Sequence, residues 1–72
     1  MQTLVFNTTL KKVVLFDGPR GEGLNIEQFE NVSTVKAQDG FYEVMQKTNE
    51  DTNQAIPVMR LPISNTNMII QK

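Results

Sequence analysis

Short segments in which apolar and polar residues alternate run along most of this chain, and turn-forming residues separate them. Residues 41–47 are the clearest case, since successive side chains would face opposite sides of a strand. Residues 10–16 form an apolar, β-branched run, and residues 22–29 alternate again. Residues 55–61 predict a strand in which Pro57 indicates either a sheet edge or an irregular start. No stretch carries a helical period, so the pattern predicts an all-β chain.

Turn signals lie between the predicted strands. Asp17-Gly18 is the strongest of them, and it predicts a hairpin turn over residues 17–21. Gly21 and Gly23 stand where the next strand would begin, which is typical of a bulge or a sharp bend. Residues 38–40 (Gln-Asp-Gly) predict either a second turn or a bulge within one long strand.

The remaining segments give weaker patterns. Residues 1–9 fit an arm, a first strand or one helical turn, and residues 32–37 fit a strand. Residues 48–54 are all polar and predict a surface loop. Residues 63–70 predict a last extended piece, broken from the preceding strand by Pro62 and containing a turn signal at Asn65-Thr66-Asn67.

Chain length and residue content point to one small β domain that needs reinforcement. About five short strands within 72 residues predict a single domain over residues 1–72, folded as one strongly bent antiparallel sheet. A Sm-like or SH3-like barrel fits this size, and an OB-like barrel would be slightly larger. A core this small is marginal, and the sequence has no cysteine for a disulfide. Oligomerisation is therefore the expected reinforcement.

Charge and chemistry restrict the functional classes. The seven Lys and Arg residues against eight Asp and Glu give a net charge of −1, so nucleic-acid binding would require a local basic patch or a positive face made by repeated subunits. Histidine and cysteine are absent and the carboxylates form no evident pair, so we expect no enzyme, metal or cofactor. No signal segment or long apolar run is present, which predicts a soluble protein of the cytoplasm or of a virus-infected cell, without a membrane partner.

Two motifs resemble the Sm-like family, particularly its bacterial Hfq branch. The family's first motif has an apolar strand ending in Leu, an Asp-Gly or Asn-Gly turn, a glycine and then Phe-Asp. Here Leu15, Asp17-Gly18, Gly23 and Phe29-Glu30 follow in that order. The second motif, Tyr-Lys-His-Ala-Ile-Ser, aligns with residues 59–64 (Met-Arg-Leu-Pro-Ile-Ser), which keep the cation, Ile and Ser.

Three departures separate this chain from the family pattern. Glu30 stands where the family has Asp, and the following Asn is displaced to Asn31. Leu61 occupies the histidine position, so the contact which that histidine makes at the pore is not carried over. Pro62 replaces a small residue between the last two strands. A divergent member of the family would fit these differences, and a viral or phage protein is one origin that would suit it.

The resemblance implies a homo-oligomeric ring of about five to seven copies, in which the strand near residues 55–61 pairs with the last strand of the next subunit. The interface residues it implies are Val58, Met59, Met68, Ile69 and Ile70. The RNA-binding residues it implies are Phe29, Glu30, Asn31, Arg60, Leu61 and Ser64. In that role Phe29 would stack a base, Asn31 would read a base edge and Arg60 would hold phosphate.

Plainer interpretations stand beside these roles. Taken alone, Phe29 is more typical of a core residue, and Arg60 of a solvated charge or an ion-pair partner. Lys11 and Lys12 are typical of edge charges that discourage aggregation, with a lateral phosphate contact as the alternative. The sequence as a whole predicts a non-enzymatic, RNA-binding ring of the RNA-chaperone or riboregulator type. The alternatives are an SH3-like protein-interaction adaptor and a viral sponge for small nucleotides.

Overall fold

The computed structural model describes residues 1–18, 25–48 and 54–72, and these residues form an all-β fold. The strands are β1 (Gln2–Asn7), β2 (Lys12–Asp17), β3 (Asn25–Phe29), β4 (Val32–Gln38), β5 (Phe41–Lys47), β6 (Ala55–Pro62) and β7 (Thr66–Gln71). One 3-10 turn, Ile63–Asn65, separates the last two strands. No helix in these ranges is long and apolar enough to cross a membrane. The prediction of an all-β chain is confirmed.

The strands are arranged in two sheets. The first sheet has the order β3-β2-β1-β7 and the second has the order β4-β5-β6. Neighbouring strands are antiparallel except β1 and β7, which run parallel. The sequence predicted about five antiparallel strands in one bent sheet, whereas the described residues form seven strands in two sheets that are not closed on each other. The difference arises because the 3-10 turn after β6 carries the chain from the second sheet to the far edge of the first.

Alternation along the strands produces the core. Leu4 lies opposite Leu15, and Phe6 lies opposite Val13, so these four side chains share one face of the β1–β2 pair. The second sheet covers them with apolar residues of its own. The buried cluster consists of Leu4, Phe6, Val13, Leu15, Val32, Val44 and Leu61. Each buried aliphatic or aromatic side chain stabilises the fold by about 1.5–3 kcal/mol relative to an exposed one.

The connection between β4 and β5 is a two-residue hairpin turn. Gln38 lies opposite Phe41, which leaves Asp39 and Gly40 as the turn residues. Both have positive φ, 54° and 80°, as a type I′ turn requires. Of the two alternatives that residues 38–40 allowed, the turn is therefore the one observed.

The first predicted turn, over residues 17–21, lies only partly within the described residues. β2 ends at Asp17, and the Gly18 N–H donates to the Met1 carbonyl at 3.0 Å, so the chain still follows β1 at that point. β3 begins at Asn25 rather than at residue 22. The bend predicted at Gly21 and Gly23 lies outside the described residues, as does most of the predicted loop over residues 48–54.

One corner joins the two sheets through the backbone. β3 and β4 are separated only by Glu30 and by Asn31, which has a φ of 55°. The Lys47 N–H donates to the Asn31 carbonyl, and the Val32 N–H donates to the Lys11 carbonyl, both at 2.9 Å. These bonds hold the β3–β4 turn against the end of β5 and against the turn between β1 and β2.

Candidate functional site

The outer face of the second sheet carries the only ion pair among the described residues and a cation–π contact. Cross-strand partners share a face, so the register identifies the members of this one. On β5 the alternation predicted for residues 41–47 is confirmed as far as Val44, which is fully buried, with Tyr42 packed against the core. Met45 is buried as well, and the register shifts between Val44 and Met45. The outer face consists of Thr34, Lys36, Gln38, Phe41, Glu43, Met45, Lys47, Ala55, Pro57, Arg60 and Pro62.

A row of alternating charges crosses this face. Glu43 lies between Lys36 on β4 and Arg60 on β6 in the register of the three strands. Arg60 Nε is 3.2 Å from Glu43 Oε2, and the Arg60 side chain remains 52% exposed. A surface pair of this kind adds little to stability, but it fixes the direction in which the guanidinium points.

Phe41 supports the same guanidinium from below. Arg60 Cζ lies over the Phe41 ring at 4.3 Å from its centroid, within the range of a cation–π contact. Phe41 and Glu43 are two residues apart on β5 and therefore face the same side. The Arg60 guanidinium is thus held over an aromatic ring, and its Nε is paired with a carboxylate. The sequence placed Phe41 and Glu43 on one face, but only the β5–β6 register brings Arg60 to them.

The outer face is locally positive although the whole chain is slightly acidic. Lys36, Lys47 and Arg60 lie on it with one carboxylate, Glu43. Asp39 lies in the turn at its end. This is the local patch that nucleic-acid binding by a chain of net charge −1 would require.

The RNA-binding residues implied by the family resemblance fall into two separated groups. Asn31 lies at the Lys47 end of β5, because its carbonyl accepts the Lys47 N–H. Ser64 lies at the other end, because the Ile63 N–H donates to the Gly40 carbonyl at 2.9 Å. A seven-residue strand separates the two groups by about 20 Å. Within one subunit they do not meet in a single site.

Individual members of these groups differ in exposure. Glu30, Asn31 and Ser64 are exposed. Phe29 is half-buried and packs against the core, and Leu61 is 8% exposed on the side of β6 opposite to Arg60. The plainer interpretation of Phe29 as a packing residue therefore describes its position in this structure. RNA contacts by Phe29 and Leu61 stay predictions. The burial of these two side chains does not favour such contacts.

The residues implied for a subunit interface lie on β6 and β7, each of which is one of the two edge strands of its sheet. β6 is paired with β5 alone and β7 with β1 alone. Val58, Met59 and Met68 pack against the core of their own subunit. Ile69 is half-buried, and Ile70 is exposed. Across residues 1–18, 25–48 and 54–72, no group of three or more His, Cys, Asp or Glu side chains is placed to hold a metal ion.

Comparisons with known proteins give no match. No protein-family model, no curated protein and no solved structure matches this chain. The resemblance to the Sm-like family therefore rests on the sequence motifs around Asp17-Gly18 and Arg60 alone.

Proposed function

We propose that this protein is a non-enzymatic, Sm-like module that assembles with copies of itself into a ring through β6 and β7 and binds RNA. The observation that carries the proposal is the position of these two strands. They are consecutive in the chain, yet each ends a different sheet and leaves one edge unpaired by any described strand. The strands β3 and β4 share this position, but β6 and β7 are the pair that carries the interface residues implied by the family resemblance. An unpaired edge presents N–H and C=O groups to another strand.

Pairing β6 of one copy with β7 of the next would satisfy both edges at once. Because two different edges meet, the contact is head-to-tail, and its repetition closes a ring of about five to seven copies when the rotation allows. Pro57 lies on β6 and has no N–H to donate, so the ladder would use the rest of the strand.

Exposed apolar side chains on the same two strands support this contact. Ile56 on β6 is 48% exposed and Ile70 on β7 is 54% exposed. Burying each of them between subunits would contribute up to about 1.5–3 kcal/mol. A domain of 72 residues with a small core gains most from such reinforcement.

RNA binding is supported by the positive outer face of the second sheet. Arg60 is exposed there, and a ring would repeat it once in every subunit. Repetition turns a weak local charge into a continuous positive surface, which attracts a polyanion even when the net charge of each chain is −1. RNA rather than another polyanion is what the resemblance to the Sm-like family implies.

Native mass spectrometry of the intact chain tests the assembly. We expect a discrete closed oligomer for the wild type and monomers for I56K and I70K, because each variant places a charge on one of the two strands of the proposed contact. Ile26→Lys is the matched control, since Ile26 is 47% exposed on β3, which is outside the proposed contact. Val58 and Met59 are poorer choices because they also pack in the core.

The same samples separate the two parts of the proposal. A wild-type monomer, or dissociation by I26K as well as I56K, would contradict assembly through β6 and β7. RNA binding is measured by fluorescence anisotropy with a labelled single-stranded oligonucleotide over a range of salt concentrations. Absence of binding at low salt would contradict the RNA part, whatever the mass shows.

A protein-interaction adaptor is the second candidate, and one observation favours it. Val5 lies beside Val14 on one side and Ile69 on the other, on the outer face of the first sheet. Phe16 lies on the same face of β2 as Val14, and all four side chains are half-buried. A protein held by this apolar row would bind with little salt dependence, whereas RNA binding would weaken steeply as salt rises.

A further inference from the structure

We propose that the outer face of the second sheet is a platform for single-stranded RNA, on which an unpaired base stacks on the guanidinium of Arg60. Lys36 and Lys47 hold the flanking phosphates. This inference rests on the proposed RNA binding and deepens it by naming the surface and the mode of contact. It differs from a simple phosphate contact by Arg60, because the planar shape of the side chain matters as well as its charge.

The first step is the preorganisation of Arg60. Its guanidinium carbon lies 4.3 Å from the Phe41 centroid, and its Nε lies 3.2 Å from Glu43 Oε2. Two contacts therefore hold the group, yet the side chain remains 52% exposed. A group that is already ordered loses less conformational entropy when a ligand binds.

The second step is the chemistry that such a group favours. RNA-binding proteins stack unpaired bases on aromatic rings and on arginine guanidinium planes. Here the ring of Phe41 lies below the guanidinium, and a base would complete the stack from the solvent side. A base within a duplex is already stacked on both sides, so the ligand class is single-stranded RNA.

The third step is the path for the backbone. Lys36 is in the same cross-strand row as Arg60, two strand spacings or about 10 Å away. Lys47 lies further along β5, about 14 Å from Arg60. Glu43 lies between Lys36 and Arg60 in the register, and its carboxylate forms an ion pair with Arg60. These two flexible lysine side chains lie on the β4 and β5 side of Arg60, where they suit the phosphates of nucleotides next to the stacked base.

This platform also explains how two separated groups of residues can contact one strand of RNA. Asn31 lies at the Lys47 end of β5 and Ser64 at its Gly40 end. The outer face runs between them for about 20 Å. RNA lying along β5 would pass from one exposed turn, over the Arg60 stack, to the other.

Variants of Arg60 and Phe41 test the proposed stacking, and the measured quantity is the affinity for a labelled single-stranded oligonucleotide. R60K keeps the charge but loses the plane, so we expect about tenfold weaker binding with an unchanged salt slope. F41L removes the supporting ring, and we expect a similar loss. F16L is the control, because Phe16 is a half-buried aromatic on the outer face of the other sheet. Wild-type affinity for R60K, or equal wild-type affinity for a duplex, would overturn the stacking mode.

Lysine pairs test the surface. The double variant K36Q/K47Q should lower the log–log salt slope by about 1.4, which corresponds to two phosphates of a single strand. The double variant K11Q/K12Q changes the net charge equally at a different place and should leave the slope unchanged. If K11Q/K12Q lowered the salt slope and K36Q/K47Q left it unchanged, the RNA would not lie on the outer face of the second sheet.

Failure of this inference differs from failure of the proposed function. If the wild type binds RNA and only N31A or S64A weakens binding, the platform is wrong and RNA binding stands. If the wild type binds no single-stranded RNA, both are wrong. Thermal unfolding of every variant confirms that an affinity change does not come from loss of the fold.

Discussion

Two buried threonines on neighbouring strands show how one hydroxyl can stabilise the fold and another can weaken it. Thr3 on β1 is fully buried, and its Oγ1 donates to the Gly18 carbonyl at 2.6 Å. Thr66 on β7 is also buried, but its Oγ1 has no hydrogen-bond partner among the described residues. A buried polar group without a partner retains the cost of its desolvation.

Replacing each threonine by valine should therefore have opposite effects. T66V removes an unsatisfied hydroxyl and keeps the β-branched shape, so we expect about 1 kcal/mol of added stability. T3V removes a satisfied donor and leaves the Gly18 carbonyl without it, so we expect a loss of about 1–2 kcal/mol. Urea denaturation of the two variants measures both. Destabilisation by T66V would show that its hydroxyl has a partner in solution.

The sequence identified Arg60 as a candidate but not the residues around it. Its neighbours in space, Phe41 and Glu43, are far from it in the chain, and their contact depends on the register of β6 against β5. That register contains a bulge between Val44 and Met45, which a pattern of alternating residues does not reveal. Leu61, the neighbour of Arg60 in the chain, faces the core instead.

At the scale of elements, the turn between β1 and β2 shows why residues 1–9 gave no clear prediction. The Asn7 Oδ1 accepts the N–H groups of Thr9 at 3.1 Å and Leu10 at 2.9 Å, which ends β1 and folds the chain back. Leu10 was predicted to begin the next strand but lies exposed in this turn. The hydrogen bonds from the backbone to the Asn7 side chain set the end of β1, and a pattern of apolar residues does not reveal such hydrogen bonds.

Two adjacent lysines in this hairpin should respond oppositely to glycine. Lys11 has a φ of 56°, which costs a non-glycine residue about 1–2 kcal/mol, so K11G should stabilise the protein by about 0.5 kcal/mol after the extra entropy of the unfolded chain is included. Lys12 lies within β2, where K12G should destabilise by about 1 kcal/mol.

Chemical denaturation of the two glycine variants provides the comparison, and each serves as the control for the other. Both remove one positive charge, so a general charge effect would move them in the same direction. Equal destabilisation would show that the positive φ at Lys11 carries no strain in solution.

The strands themselves were predictable to different degrees. Alternation identified β5, and Pro57 allowed either an edge position or an irregular start for β6, of which the structure shows the edge. Both signals act within one strand. The parallel pairing of β7 with β1 was not predictable, since it joins the two ends of the described chain. The 3-10 turn at Ile63–Asn65 directs that pairing, whereas the sequence offered a turn two residues later.

At the scale of the whole molecule, the strands β6 and β7 are important both for stability and for the proposed assembly. β7 is held in the first sheet by β1 alone, and β6 is held in the second by β5 alone. The buried cluster has seven members among the described residues, and a domain of this size has a small core, so the isolated subunit is expected to be marginal. Pairing the outer edges between copies would support both strands and couple folding to association.

This coupling predicts that thermal stability depends on protein concentration. Association stabilises only the folded state, so a tenfold increase in concentration should raise the Tm of the wild type by about 5 °C. I70K should show a lower Tm that does not change with concentration, and I26K should behave as the wild type. Differential scanning calorimetry at two concentrations measures these shifts. A wild-type Tm independent of concentration would indicate a subunit that is stable alone, in which case the free edges of β6 and β7 serve another partner or none.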